Sequence, residues 1–266
     1  MLKRLARAII PEKWHLGNYG PRYLNELVRK RTKLRVRTGP FKGLKYIDHS
    51  LASVYVPKLL GIYERELHPV IETASLLHID HVIDIGAAEG YYAVGMARRF
   101  KSAAITAFET DPSGQRAIKE LARRNDVESR VNILGKCELQ DLEQALAIGD
   151  KHLIVCDVEG YEETLLDIDR LPKLRDAFIL VELHDFVNRG LSDVIRGRFS
   201  ETHGIAEIWQ ETRSVRDFPF QSLHTRLLPN VYIENELNEY RPERMSWFWM
   251  QPIGVGPVIV TPGESG

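Results

Sequence analysis

From residue 81 onward, short apolar runs alternate with longer stretches whose apolar positions recur at helical spacing. The apolar runs predict five strands, at residues 82–85, 104–108, 131–134, 153–156 and 178–183. The stretches between them predict helices at residues 89–100, 113–125, 139–148 and 161–168. Short apolar runs are typical of strands buried on both faces, and strands alternating with helices form parallel βαβ units. After a helix at 191–199, strands at 205–209 and 245–250 are expected to complete one edge of this α/β sheet.

The residues ahead of this pattern predict a cap that mixes helices with a hairpin. A helix at 21–33 precedes two short strands at 34–37 and 44–47, which are separated by turn-forming glycine and proline. Residues 1–10 carry apolar positions at helical spacing among basic ones, which predicts a short amphipathic helix. We therefore divide the chain into an N-terminal cap, 1–75, and a core, 76–266, which ends in the sheet-edge strands.

The loop after the first core strand has the composition of a nucleotide-type site. It runs from Asp84 through Gly86, Ala87, Ala88 and Glu89 to Gly90 and into a helix. A dinucleotide site requires a second glycine where Ala88 stands, and a carboxylate at Glu89 would be a poor neighbour for a diphosphate. A ligand that carries an ammonium and a sulfonium meets neither obstacle. The loop therefore favours S-adenosylmethionine, with Asp84 either accepting from the ammonium or bracing the backbone of the loop.

Glu109 directly follows the second core strand. An acid about twenty residues after the glycine loop can accept hydrogen bonds from ribose hydroxyls. NAD and S-adenosylmethionine share the ribose, so Glu109 supports the class of site without choosing between the two ligands.

Acidic residues and a histidine follow the fourth and fifth strands. Asp157 and Glu159 end one strand, and Glu182 and His184 end the next. Ligands bind at the carboxyl ends of parallel strands in open α/β sheets, so we expect these side chains to lie beside the cofactor.

The residue runs Asp84–Tyr92, Asp157–Gly160 with Glu162, and Glu182–His184 resemble the FkbM family of S-adenosylmethionine-dependent methyltransferases. The resemblance covers roughly residues 63–185. It implies a Rossmann-like class I methyltransferase fold, with a mostly parallel seven-stranded sheet and helices on both faces. It also implies O-methylation, often of a sugar hydroxyl in a glycan or natural-product intermediate. Tyr63 and Glu64 resemble a segment ahead of the sheet that closes over the cofactor.

The chemistry leaves several roles open. Asp157 or His184 could be the general base, although a buried histidine bonded to a carbonyl oxygen is a common structural feature. Asp157, Glu182 and His184 could instead hold Mg²⁺, as in some members of the resembling family. The aromatic run 247–249, with Tyr240, could pack against a sugar ring, but such residues are more often core.

Composition argues against a nucleic-acid partner and leaves the small-molecule or glycan acceptor that the resemblance implies. The net charge is −1 and the basic residues concentrate near the N-terminus, which argues against a nucleic-acid surface. An RNA methyltransferase is the alternative enzyme, and a non-catalytic S-adenosylmethionine-binding module is the alternative from another class. The two cysteines, and a basic start that is a poor secretory signal, favour the cytoplasm. The basic N-terminus is compatible with weak contact to an anionic membrane surface, and the sequence leaves homo-oligomerisation open.

Overall fold

The computed structural model of the protein describes residues 16–48 and 55–255. Its α-helices are α1 Leu16–Thr32, α2 Tyr55–Leu60, α3 His68–Ala74, α4 Tyr91–Arg99, α5 Pro112–Arg124, α6 Leu139–Ala145, α7 Glu162–Leu165, α8 Leu191–Phe199, α9 Leu223–Leu227 and α10 Asn230–Leu237. Its strands are β1 His81–Ile85, β2 Ala104–Phe108, β3 Val131–Leu134, β4 His152–Cys156, β5 Phe178–Leu183, β6 His203–Trp209 and β7 Ser246–Pro252. Short 3₁₀ turns occupy Arg65–Leu67, Glu128–Arg130, Pro172–Asp176 and Val215–Asp217.

The seven strands form one sheet in the order β3-β2-β1-β4-β5-β7-β6. Strands β1 to β5 run parallel, and β7 pairs antiparallel with both β5 and β6. The chain order reverses between β1 and β4, and such a switch point is where open α/β sheets bind ligands. This topology confirms the predicted Rossmann-like class I methyltransferase fold.

Successive side chains of the central strands point to opposite faces, and each face carries its own apolar core. Val82 packs with the helices α1 to α5 on one face, whereas its neighbour Ile83 packs with α6, α7 and α8 on the other. Every residue of β1, β4 and β5 is buried. Fully burying one such aliphatic side chain contributes about 1.5–3 kcal/mol, which explains why short apolar runs alone predicted these strands.

The start of α5 follows the sequence prediction. The Asp111 side chain accepts a hydrogen bond from the Ser113 N–H and Pro112 occupies the first turn. The helix predicted at 161–168, by contrast, is the single turn α7. The Asp167 side chain accepts from the N–H groups of Asp169 and Arg170 at 3.1 Å each, and this local turn competes with further helix.

The hairpin predicted in the cap is shorter than expected. Instead of two strands at 34–37 and 44–47, one antiparallel bridge joins Arg35 to Lys45. Backbone hydrogen bonds still join the two segments, from the Val36 N–H to the Leu44 carbonyl at 3.0 Å and from the Tyr46 N–H to the Leu34 carbonyl at 2.7 Å. The outward-facing Arg37 N–H donates to the Leu59 carbonyl at 3.0 Å, which ties this short hairpin to α2. The amphipathic helix predicted at 1–10 lies outside the described residues. No helix within residues 16–48 and 55–255 has the length and apolarity needed to span a membrane.

Candidate functional site

The loop between β1 and α4 holds its shape through two glycines with left-handed backbone angles. Gly86 has φ 87° and Gly90 has φ 90°. The N–H groups of Gly86 and Ala87 both donate to the Phe108 carbonyl at 3.0 Å, which ties the loop to the end of β2. A Cβ on Gly86 would lie 1.7 Å from the Asp157 carbonyl oxygen. Gly86 therefore allows the β1 and β4 ends to approach each other.

The prediction that Glu89 places a charge at the mouth of the site is wrong. The Glu89 side chain is fully buried and binds the Lys58 ammonium at 2.5 Å and the Tyr46 hydroxyl at 2.5 Å. A buried carboxylate requires such partners, and Lys58 comes from a cap segment that no motif marks. Glu89 thus anchors the cap to the loop and does not select against a diphosphate.

Asp84 braces the backbone next to the loop, which is one of the two roles that the sequence left open. One carboxylate oxygen accepts from the Ala93 N–H in the first turn of α4. The other oxygen, Oδ2, is buried and has no hydrogen-bond partner among the described residues. Burial raises the pKa of Asp84 to about 7. Because Asp84 lines a cavity, its free oxygen is suited to accept from a ligand's ammonium group.

Two cavities meet at Gly86, Ala88 and Asp157. The outer cavity has a volume of about 380 Å³ and extends past Glu109, within the range of about 300–1,000 Å³ that is usual for small-molecule sites. The inner cavity is smaller, about 50 Å³, and its lining includes Glu182. Their shared lining places them side by side along the carboxyl ends of the parallel strands, and we refer to the two cavities together as the path.

Glu109 lies on the outer cavity, as predicted, and is also held by the backbone. Its Oε2 accepts from the Ala88 N–H and its Oε1 from the Asp111 N–H, both at 2.7 Å. A carboxylate offers about four lone-pair positions, so Glu109 keeps acceptor capacity toward the cavity. Gly114 lies against Glu109, where a Cβ would come within 2.6 Å of the carboxylate side chain.

Asp157, Glu182 and His184 come together at the ends of β4 and β5, as the sequence predicted. One ligating atom from each lies within 4.8 Å of the others. Glu182 and His184 are buried, whereas 45% of the Asp157 side chain is exposed. Burial, then the charge of Asp157, raises the pKa of Glu182 well above its usual range. Glu159 lies outside this group, exposed on the turn with φ 49°.

The Glu162 carboxylate orients the His184 ring. The Nδ1 atom of His184 lies 2.6 Å from Oε1 of the fully buried Glu162, and Nε2 lies 3.6 Å from Oδ1 of Asp157. Because a carboxylate accepts, Nδ1 carries the proton and Nε2 of the neutral ring is left as a proton acceptor. Burial lowers the pKa of His184, but the hydrogen bond and charge of Glu162, with the charge of Asp157, raise it further than burial lowers it. This arrangement differs from the alternative of a histidine bonded to a carbonyl oxygen.

Tyr63 and Glu64, which the resemblance implies close over the cofactor, both line the inner cavity. Glu64 is 2% exposed, has φ 45°, and accepts a hydrogen bond from the Tyr92 hydroxyl. The Lys58 ammonium lies 4.8 Å from the centre of the Tyr63 ring. The cap therefore contributes side chains to the site as well as covering the sheet.

Arg241 was not predicted from the sequence, because no motif marks the segment between β6 and β7. Its guanidinium donates to Glu182 and to Glu64, and lies 4.9 Å above the Trp247 ring. Beside it, the buried Glu239 carboxylate accepts from the Glu64 N–H at 3.2 Å. The signal that could have found Arg241 is the number of buried acids at this edge, which require a cation.

The predicted Mg²⁺ group fits an ion only in part. The side chains of Asp157, Glu182 and His184 are close enough to share one, but Mg²⁺ favours oxygen ligands over imidazole. Glu182 is already paired with the Arg241 guanidinium, so an ion there would face a fixed positive charge.

The remaining candidates lie away from the cavities or in the core. Trp247, Phe248 and Trp249 are at most 2% exposed and pack in the core, and Trp247 also lines the inner cavity, while Tyr240 is exposed.

Comparison with known proteins finds similarity to solved structures and to no other kind of known protein or family. No family model matches the chain, and no curated protein matches it. A precorrin-6y C5,15-methyltransferase from Geobacter metallireducens matches with a TM-score of 0.48 and 11% identity, over 76% of this chain and 92% of that one. A human methyltransferase 10 domain containing protein matches with a TM-score of 0.46 and 14% identity, over 85% of this chain and 96% of that one. A SAM-dependent O-methyltransferase from Thermotoga maritima matches with a TM-score of 0.43 and 13% identity, over 71% of this chain and 65% of that one. These TM-scores and identities are too low to carry the fold assignment, which rests on the strand order of the sheet.

Proposed function

We propose that the protein is an S-adenosylmethionine-dependent O-methyltransferase of the FkbM type that acts on a hydroxyl of a sugar or of a glycan or natural-product intermediate. One observation carries this proposal. A path at the switch point of the sheet begins at Glu109, passes the unpartnered Asp84 oxygen, and ends at Asp157, whose Oδ1 lies 3.6 Å from Nε2 of His184.

The residues along this path fit the parts of S-adenosylmethionine in order. Glu109 would hold the ribose, the glycine loop would lie against the methionine part, and Asp84 and Glu64 would accept from its ammonium. When bound, the cofactor supplies an electrophilic methyl group carried on a sulfonium. The acid-rich inner cavity favours this cationic end over a diphosphate, since the carboxylates of Asp84, Asp157 and Glu182 all line it.

His184 is the general base of the proposed reaction. Its Nε2 would take the proton from the acceptor hydroxyl as the oxygen gains the methyl group. Glu162 holds the ring in the tautomer that leaves Nε2 free, and Asp157 stands 3.6 Å from Nε2, where its charge stabilises the protonated ring. Holding the two reacting groups in line supplies much of the rate gain in such a transfer.

The composition of a neighbouring cavity supports a hydrophilic acceptor. A cavity of about 740 Å³, bounded by the segment between β6 and β7, includes Gln210, Ser214, Asn235 and Asn238 in its lining, and Arg241 separates it from the inner cavity. Amide and hydroxyl groups exchange hydrogen bonds with sugar hydroxyls. The free, buried Cys137 and Cys156 suit a reducing compartment, and we place the protein in the cytoplasm on that basis.

Transfer of a trideuteromethyl group tests the proposal. The protein is incubated with labelled S-adenosylmethionine and a panel of sugars, nucleotide sugars, lipid-linked sugars and tRNA, and the products are read by mass. We expect a single labelled methyl on a sugar-type hydroxyl, lost in His184→Ala but kept in His224→Ala, which changes an exposed histidine. Labelled tRNA would replace the proposal with the RNA alternative, and cofactor binding without any labelled product would favour a binding module.

A further inference from the structure

The acidic edge of the inner cavity contains a cation supplied by the chain itself. Arg241 donates to Glu182 on β5 and to Glu64 in the cap, and 13% of its side chain is exposed. Its Nε lies 3.7 Å from Oε2 of Glu239, which is 2% exposed. The guanidinium thus contacts three buried carboxylates that originate in three separate segments of the chain.

The charges around Arg241 show why these acids require a cation. Glu239 also pairs with Arg213 at 3.0 Å, and Arg213 pairs with Glu66 at 2.6 Å. Two guanidiniums therefore serve the four buried carboxylates of this cluster, and Asp157 adds a fifth acid beside Glu182. Burial raises the pKa of Glu239 to about 7, as expected where acids outnumber cations. Removing Arg241 would leave Glu64 and Glu182 buried without their cation.

A divalent ion and Arg241 would compete for the same carboxylate. An ion held by Asp157, Glu182 and His184 would share Glu182 with the guanidinium. The Arg241 guanidinium and the divalent ion would repel each other. Arginine stays protonated, so it cannot reduce this repulsion by losing its proton. The ring of Trp247 beneath the guanidinium adds a further attraction for the cation.

We propose that Arg241 is the resident cation of the acceptor end of the site, in the place where a divalent ion would bind, and that the protein acts without a metal. Arg241 is a positioning residue, because it holds together Glu182 and Glu64, which both line the inner cavity. The proposal concerns the same site as the proposed methyl transfer. Its test measures metal binding alone, so failure of one proposal leaves the other standing.

Mn²⁺ binding to the full chain tests this proposal, with free Mn²⁺ measured by electron paramagnetic resonance. We expect wild type to have no Mn²⁺ site that depends on Asp157, so Asp157→Asn should not change its Mn²⁺ binding. Arg244→Met, which changes an exposed arginine three residues away, should behave like wild type. Arg241→Met is expected to gain a Mn²⁺ site that wild type lacks, with an affinity at least about tenfold above any Mn²⁺ binding by wild type, because two like charges about 4 Å apart repel each other by more than that factor at a protein surface. Adding Asp157→Asn to Arg241→Met should abolish the gain.

Arg241→Gln provides a second test in case Arg241→Met does not fold, because it retains a hydrogen-bond donor for Glu182 and removes only the charge. It is expected to gain the same Mn²⁺ site, with near-ultraviolet circular dichroism checking the fold. A Mn²⁺ site in wild type that Asp157→Asn removes would overturn the proposal. Equal Mn²⁺ affinity in wild type and a folded Arg241 variant would overturn it as well.

Discussion

Glu162 makes His184 a candidate base, because its carboxylate fixes the tautomer of the His184 ring. Its carboxylate lies 2.6 Å from Nδ1 and the whole side chain is buried. A carboxylate in that position favours the protonated ring, so the pKa of His184 is raised. A base with a raised pKa is fully deprotonated only at correspondingly higher pH.

Glu162→Gln is therefore expected to lower the pKa of His184 by about one unit, since it removes the charge but keeps an acceptor for Nδ1–H. The acidic limb of the pH–rate profile should move to lower pH by the same amount. Nitrogen-15 NMR titration of the histidine ring measures the pKa directly. Glu159→Gln, which removes an exposed and weaker contributor on the same turn, should shift it less. An unchanged titration in Glu162→Gln would show that Glu162 does not set the state of His184.

The sequence located those site residues that follow strands directly. Asp84, Glu109, Asp157, Glu182 and His184 all lie at carboxyl ends of strands, and parallel strands bring those ends to one edge. The partners that hold them could not be found in the same way. Lys58 and Arg241 come from the cap and from the segment between β6 and β7, and they meet the site only through tertiary packing.

The same distinction holds for whole elements. The strand predictions at 104–108, 131–134 and 178–183 match β2, β3 and β5 residue for residue. Burial on both faces explains the apolar run of β5, whereas β3 lies at the edge of the sheet and is only partly buried. Helix ends and the cap hairpin were less predictable. They depend on local side chains such as Asp167 and on tertiary packing, neither of which an apolar pattern records.

The turn between β1 and α4 should not tolerate a side chain at Gly86. Gly86→Ala would meet backbone of the β4 end at 1.7 Å and adopt a left-handed angle, at a cost of about 2 kcal/mol or more. We expect lower stability in urea denaturation and loss of cofactor binding. Gly197→Ala in α8, where an added Cβ meets nothing within 4 Å, should be neutral or stabilising by up to about 1 kcal/mol. Equal urea midpoints for the two variants would contradict this account of the turn.

His81 at the start of β1 makes the stability of the sheet depend on pH. It is fully buried, with Nδ1 3.0 Å from the Ala145 carbonyl and Nε2 2.8 Å from the Thr106 hydroxyl. Burial lowers its pKa from 6.5 to about 4. Between these values the unfolded chain binds more protons than the folded one, so stability falls as the pH falls from 6.5 toward 4.

Because of His81, the free energy of unfolding should therefore fall by about 2 kcal/mol when the pH is lowered from 7 to 5. His81→Gln removes the titrating group and is expected to reduce the loss of unfolding free energy over that interval by this amount. Urea denaturation at both pH values provides the comparison. An identical pH dependence in His81→Gln and wild type would exclude His81 as its source.

At the scale of the whole molecule, the cap, the sheet and the segment between β6 and β7 each supply charged groups to one site. The cap gives Lys58 and Glu64, the strand ends give the acids and His184, and the last segment gives Arg241. The division predicted at residues 75 and 76 stays a prediction. Apolar residues from both sides of that boundary share one core, for example Leu24 with Val82, so we expect the cap and the sheet to unfold together.

The central claim is that the path from Glu109 to Asp157 binds S-adenosylmethionine, and thermal unfolding with each nucleotide tests it most directly. A ligand at about one hundred times its dissociation constant stabilises the folded state by about 2.7 kcal/mol, which for a chain of this size raises the melting temperature by about 5 °C or more. We expect that rise with S-adenosylmethionine and none with NAD. The rise should shrink in Glu109→Ala and persist in Glu201→Ala, which changes an exposed acid. A rise with NAD alone, or with neither compound, would contradict the account.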